Sequence, residues 1–172
     1  MTILYHPFNS EKDSEAVARF FTRLGYGSAG RAGVPLDATG LRRSLTESGL
    51  RYACVAQDGG RVVGTIMLLE RADGFAAGPG ELFGDHYLVD PLLRNSLVSG
   101  RLLAAMFQYL IAAEVGTVRL RVDPANDVAR RLYAQAGFRA VGPPISNGDG
   151  FVEMVNHLPG VLHLLGEEEG IT

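Results

Sequence analysis

The spacing of apolar positions changes several times along this chain, and each change marks an element. Thr2–His6 is a short β-rich run and reads as a first strand. After it, Ala16, Val17, Phe20, Phe21 and Leu24 recur at helical spacing and form one apolar stripe. Ser10-Glu-Lys-Asp13 ahead of that stripe resembles a capping box, with Asp in the place of Glu or Gln. Gly25–Gly40 interrupts the pattern with five Gly and one Pro and reads as a long loop, a feature often functional inside a compact domain. A short helix over Leu41–Glu47 follows Thr39. Leu50–Gln57 and Arg61–Leu69 are β-rich runs joined by the hairpin turn Asp58-Gly59-Gly60. Arg71–Gly80 is Gly-rich again and reads as a loop.

Glu81–Val89 reads as a strand that stops at Asp90-Pro91, because Pro cannot donate to a central ladder. From Val98 the period becomes helical: Val98, Leu102, Ala105, Met106, Tyr109, Leu110 and Ala113 share one face. Thr117–Val122 is a strand, entered through the turn Val115-Gly116. Asn126 or Asp127 caps a further helix with an apolar face of Val128, Ala129, Leu132, Tyr133 and Ala136, and Gly137 ends it. Phe138–Val141 and Phe151–His157 are the last strands, on either side of a Gly142–Gly150 loop. Residues 158–172 read as a C-terminal extension with a solvated Glu167-Glu-Glu169 end. Strands joined by hairpins in the middle and by a helix later predict a mixed sheet with helices on both faces. The crossover from Glu81–Val89 to Thr117–Val122 should be parallel and right-handed.

Composition narrows the class. At 172 residues, 47% hydrophobic and 20% charged, the chain suits one domain with a sizeable core. No apolar run approaches the roughly 18–20 residues that span a bilayer. The start, Met1-Thr-Ile-Leu-Tyr-His-Pro7, lacks the basic and apolar regions of a signal peptide, so the expectation is a cytoplasmic protein away from membranes. The single cysteine, Cys54, excludes an internal disulfide and a multi-Cys zinc site. A formal charge of -3 argues against a nucleic-acid partner, which needs a basic footprint. Lys12 is the only Lys among 16 cationic residues. Arg favours bidentate anion recognition, though a genome rich in G and C gives the same bias.

The usual catalytic signatures are absent: no nucleotide-binding glycine loop after a strand, no nucleophile elbow and no paired-His zinc motif. The four His residues show no metal-ligand spacing, so no metal is expected. The informative stretch is Tyr87-Leu-Val-Asp-Pro91-Leu-Leu-Arg94-Asn-Ser-Leu97-Val-Ser99-Gly100-Arg101-Leu-Leu103. Here a strand gives way through a polar turn to a long helix. The first N–H groups of that helix lack internal partners, and the helix dipole adds partial positive charge, so such an end can bind phosphate. Arg94 and Arg101 add cationic charge nearby.

This stretch resembles the acyl-CoA-binding motif of the GNAT superfamily of N-acetyltransferases, V-x-P-x-x-R/Q-G-x-G-I/V-G/A followed by two Leu. Val89, Pro91, Arg94, Val98, Leu102 and Leu103 hold the matching places without a gap. Asn126-x-x-Ala129-x-x-x-Tyr133-x-x-x-Gly137-Phe138 resembles the family's downstream motif. The match of elements covers a core of residues 2–157. It implies an α/β (α+β) single GNAT-like domain over residues 1–172, with a mixed, mostly antiparallel twisted sheet of six to seven strands. The chain departs from the pattern at Asn95 and Leu97, where Gly is common, and at Ser99, where Gly or Ala is. A left-handed backbone at Leu97 would cost about 1–2 kcal/mol. Asn95 tolerates such a backbone better, and Ser99 can lend a hydroxyl donor.

The resemblance implies transfer of an acetyl or other short acyl group from acyl-CoA to the primary amine of a small molecule or peptide, by direct attack in a ternary complex. It implies a backbone N–H at Leu88 or Val89 as oxyanion donor. It implies a binding loop over Arg94, Asn95, Ser96, Leu97, Val98, Ser99, Gly100 and Arg101, with Asn126 contacting the pantetheine arm. Tyr133 matches the residue that protonates the departing thiolate, although its spacing fits a core aromatic equally well. Asp85 stands six residues before Pro91, where many members carry a general base. His86, one residue on, should point to the opposite face of the sheet, so one of the two serves as base but not both in one site. The acceptor site would lie among the three Gly-rich loops, with Arg31, Arg42 and Arg43 nearby. The substituted loop also suits a phosphopantetheine arm on an acyl carrier protein, or a non-catalytic acyl-CoA-binding module. Family members often pair through their sheets, which leaves a homodimer open.

Overall fold

The computed structural model describes residues 2–25, 36–72, 74–94, 96–142 and 150–158. The Gly25–Gly40 and Gly142–Gly150 loops, and the C-terminal extension, therefore fall largely outside the described residues, and Arg31 and Asn95 wholly so. Strand β1 (Ile3–Pro7) is followed by helices α1 (Ser10–Arg23) and α2 (Ala38–Glu47). Strands β2 (Leu50–Asp58) and β3 (Arg61–Leu69) form the central hairpin. A small two-stranded ribbon, β4 (Arg71–Ala72) with β5 (Phe75–Ala76), folds part of the Gly-rich stretch that reads as a loop in the sequence. Then come β6 (Glu81–Val89), a 3-10 turn (Pro91–Leu93), α3 (Val98–Ala112), β7 (Thr117–Val122), α4 (Asp127–Gln135), β8 (Arg139–Ala140) and β9 (Val152–His157).

Seven strands make one sheet in the order β1-β2-β3-β6-β7-β9-β8. Every pairing is antiparallel except β6 with β7, which the α3 crossover makes parallel. Two cores flank the sheet. Val17, Phe20 and Phe21 of α1 and Leu41 and Leu45 of α2 pack on Val55, Met67 and Leu69 of one face. Leu102, Met106 and Leu110 of α3 and Tyr133 of α4 pack on Cys54, Ile66, Leu68 and Leu120 of the other. Among the described residues, no helix is long and apolar enough to cross a membrane.

The N-cap of α1 is Asn9, one residue before the expected Ser10. Asn9 Oδ1 accepts from the N–H groups of Glu11 and Lys12, and buried Asp13 accepts from the Asn9 N–H at 2.7 Å. The reciprocal pairing of a capping box is thus kept, shifted by one position, because Asn caps as well as Ser does. Across the far half of the sheet, Arg119 donates to Glu81 at 2.7 Å and to Glu153 at 2.6 Å, tying β6, β7 and β9 by charge. Both carboxylates, Glu153 first, hold its pKa above the ordinary value.

Candidate active site

The parallel ladder between β6 and β7 is short. It joins Glu81 to Thr117, Leu82 to Val118 and Phe83 to Arg119, and then ends. Beyond that point β6 stays on β3 as far as Val89, while β7 stays on β9 as far as Val122. The two central strands therefore part like a wedge. The gap holds a cleft of about 110 Å³, with Gly84, Asp85, His86, Tyr87 and Leu88 along one strand and Leu120 and Arg121 along the other. Met106 of α3 and Tyr133 of α4 complete its wall.

A bulge shapes the β6 side. Thr65 pairs with Leu88 and Met67 with Asp85, so Ile66 alone faces both His86 and Tyr87. His86 takes φ +46, a left-handed backbone that costs about 1–2 kcal/mol in a non-Gly residue. Two hydrogen bonds hold it there: Thr65 Oγ1 donates to the His86 carbonyl at 2.8 Å, and the His86 N–H donates to Asp85 Oδ1 at 2.6 Å. The bulge overturns the expectation that Asp85 and His86 face opposite ways. The His86 ring packs at a tilt against Phe21 of α1, 5.1 Å between centroids, and its Nδ1 lies 3.8 Å from Asp85 Oδ1. Both side chains are therefore on the α1/α2 face, because the extra residue resets the alternation of the strand. His86 Nδ1 is buried and has no hydrogen-bond partner among the described residues.

Backbone direction follows from the strand end. The Asp90 N–H donates to Val63 on β3 at 2.8 Å. Successive N–H groups of a strand alternate, so Leu88 also faces β3, while Val89 and Tyr87 face the gap that β7 has left. Of the two expected oxyanion donors, Val89 turns its N–H to the gap and Leu88 turns its N–H to β3.

Past Val89 the chain is tightly held. Asp90 is buried, its Oδ1 accepts from the Leu92 N–H at 3.1 Å, and its Oδ2 lies 3.4 Å from Arg23 and 3.2 Å from Arg61. Ser96 donates to the Leu93 carbonyl at 2.6 Å and accepts from the Val98 N–H at 3.2 Å. Leu97 has φ -67, so the strain considered for it is absent, and its side chain points outward, 75% exposed. No side chain caps α3 at Leu97, and the N–H groups of Ser99 and Gly100 have no acceptor within the helix. Space is open where a Cβ of Gly100 would stand. Tyr87 Oη donates to the Ser99 carbonyl at 2.8 Å and fixes this helix end to β6. Burial pushes the Tyr87 phenol up to about 12.

The sequence model of the acetyltransferase (GNAT) family matches residues 32–138. The chain belongs to this family. Three solved structures illustrate the likeness. A Staphylococcus aureus Mu50 N-acetyltransferase superposes with a TM-score of 0.73 at 13% identity, covering 92% of this chain and 99% of that one. A Brucella melitensis ribosomal-protein-alanine N-acetyltransferase gives 0.71 at 16% identity, over 90% and 99%. The paia N-acetyltransferase of Thermoplasma acidophilum, solved in complex with coenzyme A, gives 0.63 at 15% identity, over 91% and 99%. At these identities the likeness concerns the fold. Comparison with the curated proteins finds no match.

Within this GNAT domain the wedge gathers Asp85, His86 and Tyr133 around one cleft. Tyr133 is 7% exposed, with its ring 5.8 Å from Tyr87 and 5.6 Å from Phe138. Asn126 spends its Oδ1 on the α4 cap, accepting from the Ala129 N–H at 3.1 Å, so only its amide N–H groups remain for another contact. Arg94 is exposed beside the turn, whereas the Arg101 guanidinium lies over the Tyr5 ring at 5.6 Å. The Val98 side chain is buried in the core. The Ser99 and Gly100 amides, which have no acceptor within α3, and the open space at Gly100 fit an anionic diphosphate. Among the polar residues that line the cleft, Tyr87 and Arg121 escaped the sequence reading: Tyr87 stood inside the motif without a role, and Arg121 needed only the alternation of its strand to be found. Phe75, which packs on Arg121 from outside the cleft lining, sat in a stretch without period. Among the described residues, no three His, Cys, Asp or Glu side chains come together to hold a metal.

Proposed function

We propose that this chain is an N-acyltransferase that moves an acetyl or other short acyl group from acyl-CoA to a primary amine by direct attack. The observation that carries the reading is the wedge itself, in which outward amides, a bulge with two titratable side chains and a tyrosine line one cleft. Acyl-CoA, when bound, supplies an activated carbonyl carbon and a thiolate leaving group. The N–H groups of Ser99 and Gly100 would hold its diphosphate, with Arg94 alongside. The N–H groups of Tyr87 and Val89 would pair with polar groups of the donor and stabilise the oxygen that gains charge. Asp85 or His86 takes the proton that the attacking amine loses, and their contact lets one orient the other. Tyr133 gives its phenolic proton to the departing sulfur, a match supported by the near basicity of phenols and thiols. Its place in the core does not compete with this role, since a ring can pack while its edge meets the cleft.

The test uses the full chain. Acetyl-CoA at a hundred times its Kd should stabilise the fold by about 2.7 kcal/mol, and thiol should be released only when an amine is present. Tyr133→Phe should lower kcat by about a hundredfold and leave the thermal shift intact. An unchanged kcat removes Tyr133 from the reaction. Transfer from a loaded carrier protein without any response to coenzyme A assigns the donor to that carrier. A shift without turnover on any amine replaces the transferase reading with acyl-CoA binding alone.

A further inference from the structure

Given that transferase reading, one face of the cleft points to what the acceptor carries besides its amine. Asp85 and Arg121 each lie two residues beyond the last paired positions, Phe83 and Arg119, so they stand level on the two parting strands. They also share a face. Asp85 is paired with Met67, which belongs to the core under α1 and α2, and His86 packs against Phe21 of that same core. On β7, Val118, Leu120 and Val122 fill the opposite core, so Arg121, which alternates with them, projects to the Asp85 side. Asp85, His86 and Arg121 all line the cleft. The Arg121 guanidinium lies 5.2 Å from the ring centroid of Phe75, which the β4–β5 ribbon presents with 62% of its surface exposed. Stacking on an aromatic face orients the planar fork whose geometry matches a carboxylate in two parallel hydrogen bonds.

We infer that the acceptor is a free amino acid or an equally compact zwitterion, with its amine beside Asp85 and His86 and its carboxylate on Arg121. The face supplies a carboxylate and an imidazole on one strand and, on the other, a guanidinium whose five N–H donors can serve a ligand beside the partners it already has. The opposite wall, built from Leu120, Met106 and Tyr133, carries no charge and suits the acyl chain. Arg121 is thus a specificity-determining residue.

The experiment measures thiol release from acetyl-CoA by the full chain. The acceptors are the common L-amino acids, each beside its decarboxylated amine, and a short peptide amide. For the best amino acid, kcat/KM should exceed that of its decarboxylated amine by about tenfold to a hundredfold, the worth of a charge-assisted pair. Arg121→Gln should narrow that ratio to within about threefold, because the ratio cancels any loss shared by both acceptors. Equal rates within every pair, a ratio that Arg121→Gln leaves in place, or a peptide amide that outruns every free amino acid each overturn the inference while the transferase reading stands. No thiol release from any amine overturns both.

Discussion

Tyr87 shows how much one side chain can tie together at this site. Its backbone N–H faces the wedge, its ring packs against Tyr133, and its hydroxyl fixes the first turn of α3. The phenol is held up to about 12 by burial, against an ordinary value of 10. A raised folded-state value means that the unfolded chain gives up this proton first. The stabilisation is whole below pH 10 and is lost as pH rises from 10 towards 12. Urea midpoints of the native chain should therefore fall over that interval, and Tyr87→Phe should flatten the fall. Equal slopes in the two proteins would show that Tyr87 ionises alike in both states. Tyr133 and Asp85 could be nominated from the sequence because a family pattern lies over them. The partnership of Asp85 with His86 was not legible, since strict alternation puts neighbours on opposite faces.

At the level of elements, the hydrophobic period located α1 to α4 and the long strands to within a few residues. The bulge escaped it. A bulge is a mismatch between two strands, Thr65 to Met67 on one and Asp85 to Leu88 on the other, and neither strand alone carries its mark. Its anchor is Thr65, fully buried, whose hydroxyl donates to the His86 carbonyl. Thr65→Val keeps the shape and removes the donor, leaving the strained His86 carbonyl without that bond. The expected loss is about 1–3 kcal/mol in urea unfolding, with a fall in kcat/KM beyond any change in the bound fraction of acetyl-CoA. An unaltered kcat/KM would mean that the bulge stands without this bond. The ribbon β4–β5 was equally hidden, because two-residue strands have too few positions to show a period.

For the molecule as a whole, the site depends on how closely α3 lies against the sheet. Gly64 on β3 makes that approach possible: a Cβ there would stand 2.9 Å from Leu102 Cδ1, 3.3 Å from Val98 Cγ1 and 3.3 Å from the Leu88 carbonyl. Gly64→Ala should push the first turns of α3 outward. We expect a stability loss of about 1–3 kcal/mol by urea titration, and weaker acetyl-CoA binding in calorimetry, since the Ser99 and Gly100 amides move with the helix. Unchanged affinity would show that the helix end tolerates the shift. The sequence by itself determined the elements, the two-sided burial and the strand-to-helix turn around Arg94, because these follow from local period and from residues adjacent in the chain. Only the tertiary structure decided where β6 and β7 part, which N–H groups face the gap, and that Asp85, His86 and Arg121 meet on one face. Those features arise from pairing between distant segments: β6 is held by β3 and β7 by β9, and the space between them belongs to neither strand's own sequence.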